Sequence, residues 1–187
     1  MNEYAPYYPG QFLLALPGMG DPRFAQAVIA ICTHDQEGAL GIGIGQLFGS
    51  MTMGDLFDQL GIEGGNGRDV PVHYGGPVDQ TRGFVLHSLD WGGQESADVA
   101  GKWGLSNSLD VLRAIAEGRG PSRWVVSLGY AGWSAGQLEE ELHHNAWHVT
   151  PGSDALLFDT ATDARWTRAY ADAGVDVRLL SATGGTA

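Results

Sequence analysis

The chain has one cysteine, Cys32, and it stands two residues before His34. In an extended strand, residues two apart point to the same face, so the sequence predicts that these two side chains lie together. A thiolate beside an imidazole could act as a nucleophile, as a redox sensor or as half of a metal site. The alternative is a small cysteine buried at a strand end, followed by a histidine in a turn. We retain Cys32 and His34 as a candidate reactive pair and predict no metal site, because the other histidines are scattered along the sequence.

Residues 132–136, Gly-Trp-Ser-Ala-Gly, match the G-x-S-x-G pattern of a serine nucleophile between a strand and a helix. The acid and the histidine of a triad should follow that serine. However, the acids between Ser134 and the last histidine, His148, are confined to residues 139–141 of the predicted helix. Ser134 and Gln137 also have the spacing of a capping box, with Trp133 and Leu138 as its hydrophobic staple. We therefore predict that Ser134 is a helix N-cap, and we assign no catalytic residue.

Gly75 and Gly76 precede Pro77, and Arg82 follows at the start of a predicted strand. Free backbone amides near a guanidinium can hold a small anion, so Gly75, Gly76 and Arg82 form the candidate ligand-binding site. The alternative is a tight turn, with Arg82 paired to a carboxylate. The glycines of residues 41–45 alternate as in a strand and lack dinucleotide-binding spacing, and no phosphate-binding lysine loop is present. We predict no cofactor.

The predicted elements that carry these residues are mostly strands joined by short turns. The apolar run 27–32 and the Gly-alternating run 40–45 predict a central hairpin. Further strands are predicted at residues 12–16, 70–74, 83–87, 97–103, 124–130, 147–150, 155–158 and 175–180. Helices are predicted at residues 52–60, 107–117 and 163–173 and after Ser134, and residues 61–68 form a loose loop. The fold class is α+β: a single domain over residues 1–187, with twisted, mostly antiparallel sheets and three to four helices packed outside.

The composition favours a folded, acidic protein. Apolar residues make up 43% of the chain, and 22 acids against 10 bases give a formal charge of −12. This charge argues against direct nucleic-acid binding unless there is a local basic patch. A single cysteine allows no intrachain disulfide and fits a reducing compartment. No apolar stretch approaches the roughly 20 residues that span a bilayer, so we predict a cytoplasmic protein without membrane contact.

Several short motifs occur in a fixed order along nearly the whole chain. They include Asp-Pro-Arg-Phe at 21–24, Ile-Cys-Thr-His at 31–34, Gly-Gly-Pro at 75–77, Arg-Gly-Phe-Val-Leu-His at 82–87 and Leu-Gly-Tyr-Ala-Gly-Trp at 128–133. The set is completed by Phe-Leu-Leu-Ala-Leu-Pro at 12–17, Gly-Ala-Leu-Gly at 38–41, Gly-Gln-Leu-Glu at 136–139, Asn-Ala-Trp at 145–147 and Arg-Trp at 165–166. Together they resemble the YqgE/AlgH family of small bacterial cytoplasmic proteins. The resemblance implies one α+β domain of twisted sheets with outer helices, and a label as a transcriptional regulator.

From these observations we predict a non-enzymatic regulatory protein that binds a small anionic ligand or a protein partner. A DNA-binding transcriptional regulator is the first alternative, and a basic face on the structure would support it. An enzyme or redox sensor that uses Cys32, or an acyl-transfer enzyme that uses Ser134, is the second.

Overall fold

A computed structural model describes residues 6–93 and 95–180 of the chain. Its ten strands are β1 (Gln11–Ala15), β2 (Val28–Asp35), β3 (Gly38–Gly43), β4 (Leu47–Thr52), β5 (Pro71–Tyr74), β6 (Val78–His87), β7 (Ser96–Val99), β8 (Trp103–Ser106), β9 (Trp124–Ser134) and β10 (Trp147–Pro151). The α-helices of the described residues are α1 (Met53–Leu60), α2 (Leu109–Ala116), α3 (Gln137–His143), α4 (Asp154–Phe158) and α5 (Thr162–Asp172). Short 3₁₀ turns occur at Pro22–Phe24 and Val177–Leu180.

The strands form one curled sheet in the order β10-β1-β2-β3-β9-β6-β8-β7, with β4 and β5 attached at the side. β9 is the central strand, because it pairs with β3 and β6 antiparallel and with β5 parallel. The β5–β9 pair is the one parallel contact among the described strands. The structure thus confirms the predicted α+β class and its mostly antiparallel sheet.

Three groups of buried side chains pack the helices onto this sheet. α4 and α5 cover one face around Phe12, Trp103 and Tyr170. α1 and α2 lie on the opposite face of β5, β6 and β9. α3 packs on β1, β2 and β9 and is fixed by a carboxylate: Glu141 Oε2 accepts hydrogen bonds from Trp133 Nε1 at 2.9 Å and from Trp147 Nε1 at 2.8 Å.

Two of the predicted local patterns, the β2–β3 hairpin and the cap of α1, form as predicted. The β2–β3 hairpin closes between Asp35 and Gly38. Thr52 caps α1 in a complete capping box with Asp55, and Gly61 ends the helix in the left-handed conformation, with φ 65°. The loop 61–68, which was predicted to be loose, is instead attached to α2, because the Asn66 side chain donates to Ile115 O at 2.8 Å. Among the described residues, no helix is both long and apolar enough to cross a bilayer.

Three predicted strands differ from the structure, and one observed strand was not predicted. Residues 97–103, predicted as one strand, belong to the β7–β8 hairpin, which turns at Ala100 and Gly101 with φ 52° and 68°. Residues 155–158, predicted as a strand, form α4, because Ser153 accepts a hydrogen bond from Leu156 N and starts a helix. Residues 175–180 contain a 3₁₀ turn instead of a strand, and β4 has no counterpart among the predicted strands. Short apolar runs fit both a strand and a buried helix, which explains why α4 adds a fifth helix to the predicted three to four.

The predicted N-cap at Ser134 is wrong. Ser134 is the last residue of β9, and α3 begins after Gly136, an N-cap with φ 74° and no side-chain capping bond. Of the two hydrogen bonds of a capping box, only the one from the cap backbone is present: Ser134 N–H donates to Gln137 Oε1 at 3.0 Å. This bond uses the backbone of Ser134 and leaves its hydroxyl outside the helix start.

This difference can be measured with two alanine substitutions. Thr52→Ala removes a hydroxyl that caps α1 and should lower the free energy of unfolding by about 1 kcal/mol. Ser134→Ala should change it by less than about 0.5 kcal/mol, as for an ordinary surface position. Urea unfolding of the two variants beside the wild type tests the contrast. An equal loss in both would restore Ser134 as a cap.

Candidate functional site

Cys32 and His34 lie on opposite faces of β2, contrary to the predicted shared face. The pairing of β2 with β3 moves from Ile31–Gly41 to Thr33–Leu40, so Cys32 is the extra residue of a β-bulge. The bulge reverses the alternation of side chains. Cys32 therefore packs beneath α4 and α5, and His34 turns toward α3.

Both ring nitrogens of His34 form hydrogen bonds within the protein. Its Nδ1 accepts a hydrogen bond from Tyr8 N at 3.2 Å, and its Nε2 lies 3.2 Å from Glu139 Oε1, to which it donates. The Tyr8 ring stacks on the imidazole, and the Tyr7 ring meets it edge-on. Burial raises the pKa of the Cys32 thiol to about 12. The structure therefore gives Cys32 neither an imidazole base nor an ionised thiol.

Ser134 lacks the geometry of a nucleophile elbow. The elbow is a strained turn, but Ser134 is an exposed strand residue and is absent from the non-glycine positions with positive φ in the described chain. Within residues 6–93 and 95–180, its hydroxyl has no hydrogen bond to a histidine. The same residues contain no cluster of three or more His, Cys, Asp or Glu side chains that could hold a metal ion.

Two more buried histidines take part in structural hydrogen bonds. His87 Nδ1 donates to Ser88 O at 2.8 Å, and its Nε2 accepts from Ser96 Oγ at 2.9 Å. His73 Nδ1 donates to Val126 O at 3.3 Å, and its Nε2 accepts from Arg165 Nη1 at 2.9 Å. Burial, with the positive charge of Arg165 as a second cause, lowers the pKa of His73 from 6.5 to about 4.

Gly75 and Gly76 are packed against β9 and not open to a ligand. Gly75 N–H donates to Leu128 O at 2.8 Å, and Gly75 O accepts from Gly43 N at 2.7 Å. A Cβ added at Gly75 would overlap Gly129 O, and one added at Gly76 would overlap the Tyr130 backbone. The two glycines line a niche of about 10 Å³, near the lower limit for one water molecule. Close backbone packing therefore accounts for both glycines.

Arg82 lies apart from this niche. It is exposed at the start of the paired part of β6, and its guanidinium carbon is 5.3 Å from the centroid of the Phe84 ring. Seven other arginines form ion pairs with carboxylates, and Arg165 is buried. Within the described residues, Arg82 is thus the one exposed arginine without a carboxylate within 4 Å. The predicted alternative, in which Arg82 pairs with a carboxylate, is therefore wrong for the described residues.

A larger depression lies between α1, α2 and the sheet, and we name it the α1–α2 cleft. Arg82 is among its lining residues, but its guanidinium lies over Phe84, which packs on the face of β6 opposite Val85. The cleft has a volume of about 240 Å³. Its floor is apolar and consists of Leu56, Gly83, Val85, Leu112, Val126 and Leu128. Its rim consists of Leu60, Thr81, Arg82, Asn107, Ser108 and Leu109. None of the described residues that line it is acidic, although the chain has 22 acids.

Comparison with known proteins identifies the family. The model of the AlgH-like family, DUF179, matches residues 12–178. The chain belongs to the AlgH-like family. A UPF0301 protein of Sphingopyxis alaskensis is 59% identical over the whole of both chains, and one of Novosphingobium aromaticivorans is 54% identical over 98% of this chain and 99% of the relative.

Solved structures agree with this AlgH-like fold. The solution structure of AlgH from Pseudomonas aeruginosa is 40% identical, covers all of both chains and has a TM-score of 0.80. A crystal structure of a protein from Corynebacterium diphtheriae, at 20% identity, has a TM-score of 0.75 over 97% of this chain and 94% of its own, and shows the shared fold. The predicted family resemblance is confirmed.

Sequence reasoning found Arg82 but missed the rest of the cleft in this AlgH-like chain. The spacing of Leu56 and Leu60 predicts that both lie on the buried side of α1, yet Leu60 is 42% exposed. Leu109, the first residue of α2, is 43% exposed. The available signal was weak: two leucines at helix ends, separated by almost fifty residues. Only the packing of α1 beside α2 on β6 and β9 makes them neighbours of one cleft.

The buried Cys32 predicts slow thiol chemistry. With a pKa near 12, only on the order of 10⁻⁴ of the thiol is ionised at pH 8. Iodoacetamide should therefore modify the native protein far more slowly than the protein unfolded in urea, as followed by mass spectrometry. Equal rates in the two states would show an accessible, activated thiol and revive the sensor hypothesis.

His73 predicts a loss of stability on acidification. The unfolded chain binds a proton at His73 near pH 6.5, but the folded chain does so only near pH 4. The unfolded state therefore binds more protons between these values, and stability falls by up to about 1.4 kcal/mol per pH unit as the pH drops from 6.5 to 4. His73→Gln should flatten this slope, and the exposed His143→Gln should leave it unchanged in urea titrations at a series of pH values. Equal slopes in the wild type and His73→Gln would contradict the assignment.

Proposed function

We propose that this AlgH-like protein is a non-enzymatic, cytoplasmic regulatory protein that binds a small ligand in the α1–α2 cleft. One observation carries the proposal. On a chain with a formal charge of −12, the cleft combines an apolar floor with a lining in which no described residue is acidic. Ligand sites are typically apolar concavities with a few well-placed polar groups at fixed positions.

The surroundings of the nucleophile candidates support a binding role over an enzymatic one. Cys32 is buried with a raised pKa, and its nearest histidine in sequence faces the other side of the sheet. His73 and His87 have both ring nitrogens in hydrogen bonds to the protein. A nucleophile needs an adjacent base within hydrogen-bond reach, and the described residues offer none to Cys32 or Ser134.

The pairing of arginines supports a small ligand over DNA. Phosphate contacts by free Lys and Arg side chains supply most non-specific DNA affinity. In the described chain, seven arginines already contact carboxylates, and the one lysine, Lys102, donates to Gly10 O at 3.2 Å. No extended basic face is therefore left for a nucleic acid on the described surface.

An unbiased ligand screen by thermal shift, repeated on a variant with a filled cleft, tests the proposal. Leu60→Trp places a large side chain at the rim of the cleft, whereas Leu89→Trp makes the same change at a 52% exposed leucine elsewhere. A ligand at one hundred times its Kd should stabilise the wild type by about 2.7 kcal/mol, which raises the melting temperature by several degrees. This shift should persist in Leu89→Trp and disappear in Leu60→Trp. Hits that stabilise both variants equally would place ligand binding elsewhere and refute the cleft.

A further inference from the structure

His34 is held between two partners that favour different protonation states of its ring. Its Nδ1 accepts a hydrogen bond from Tyr8 N at 3.2 Å, and its Nε2 lies 3.2 Å from Glu139 Oε1. The bond from the Tyr8 backbone requires a lone pair on Nδ1, which the neutral ring with its proton on Nε2 provides. The Glu139 carboxylate instead favours the doubly protonated, positively charged ring. The two partners therefore compete through the charge of one side chain, which has no exposed surface.

The Tyr8 bond fastens a short piece of chain before β1, residues 6–10, which we name the N-terminal segment. Its last residue is fixed to the sheet, because Gly10 N–H donates to Ile31 O at 2.8 Å. Gly10 has φ 77°, a left-handed conformation that favours glycine, and the chain turns there into β1. Among the described residues, the bond from Tyr8 to His34 is the one backbone hydrogen bond that joins residues 6–8 to a distant part of the chain. Gly10 is therefore the point at which residues 6–8 can hinge.

Two aromatic rings of the N-terminal segment cover the imidazole of His34. The Tyr7 ring meets it edge-on, with the ring centroids 4.9 Å apart, and the Tyr8 ring stacks on it at 5.7 Å. These ring contacts are available to both charge states of the imidazole, and a positive ring is also attracted to an aromatic face. Protonation, however, sets two N–H groups against each other at the 3.2 Å contact of Tyr8 N with Nδ1, which the rings do not relieve. The hydrogen bond at Nδ1 is thus the contact that a proton removes.

Glu139 is the one described carboxylate in contact with the His34 ring, and its side chain is 29% exposed. Asp35, the next residue of β2, alternates to the other face of the strand, and its Oδ1 accepts a hydrogen bond from Glu37 N at 2.8 Å. The residue of β3 that pairs with His34 is Ala39, which carries no charge. Within the described chain, a proton on the imidazole is therefore balanced by Glu139 alone.

We propose that His34 is a pH-sensitive latch for the N-terminal segment, separate from the α1–α2 cleft. The neutral ring accepts the Tyr8 N–H and keeps the segment closed. Histidine ordinarily changes its charge between about pH 5 and 8. When the ring takes up a second proton, it stays bound to Glu139 and loses the Tyr8 N–H, so residues 6–8 swing away at Gly10. Opening uncovers the His34–Glu139 pair beside α3.

An NMR titration of the full, ¹⁵N-labelled chain from about pH 8 to about pH 5 tests this latch. As the ring nitrogen signals of His34 report protonation, the backbone order parameter of Tyr8 should fall from about 0.85, typical of rigid backbone, to below about 0.6. The order parameter of Leu13 in β1 should stay unchanged, which separates opening of the segment from unfolding. Protonation of His34 without a change at Tyr8 would show that the rings hold the segment in both charge states, and would overturn the latch. A ring that stays neutral throughout the titration would overturn it equally.

Two glutamine substitutions on α3 separate the latch from the general charge of the helix. Glu139→Gln removes the carboxylate that stabilises the charged ring, so the segment should open about one pH unit lower than in the wild type. Glu140→Gln removes the same charge at the next, exposed residue, which makes no ion pair with His34, and should leave the pH of opening unchanged. Equal shifts in the two variants would assign the opening to the net charge of α3 and overturn the role of the His34–Glu139 pair.

Discussion

Close approach of bare backbone at β9 is the constraint on which the sheet depends. β9 accepts β5 and β3 along one edge and β6 along the other. The chain after β5 passes so near to β9 that a Cβ at Gly75 or Gly76 would overlap its backbone. Gly129 has φ 77°, and a Cβ added there would overlap Gly76 O. Glycine is therefore required both in β9 and in the segment after β5. This close contact allows β5 to pair with β9, and β4 joins the sheet through β5.

A buried guanidinium fastens the same junction from the other face. Arg165 is 4% exposed and donates to Leu156 O, Leu157 O and Ile44 O, and to His73 Nε2. Its partners come from α4, from the residue that follows β3 and from β5, so one side chain links the outer helices to the junction. Burial lowers the pKa of Arg165 to about 10, which still leaves it charged at neutral pH. Carbonyl oxygens, including those near the C-terminal end of α4, replace the solvation that this charge would have in water.

These structural demands account for several residues that resemble catalytic groups in the sequence. His34 holds the N-terminal segment, His73 helps to hold Arg165, and Glu141 binds two indoles. Polar groups inside a protein must be hydrogen-bonded, so a fold with many buried histidines and tryptophans needs such partners whatever its function. Arg82 differs from the other exposed arginines, because it has no carboxylate within 4 Å among the described residues and its guanidinium lies over the Phe84 ring. The proposed function rests on the apolar, acid-free α1–α2 cleft.

The sequence by itself determined the family, the α+β class, the β2–β3 hairpin and the capped helix α1, because these depend on motifs and on hydrogen bonds between near neighbours in the chain. It also singled out Arg82. Tertiary structure alone decided the face on which His34 lies, since a bulge in the pairing of β2 with β3 reverses the alternation. It likewise decided that Gly75 serves packing, because the backbone it meets at Gly129 is more than fifty residues away. The cleft arises in the same way, where two helices distant in sequence leave part of the sheet uncovered, and local patterns do not encode such gaps.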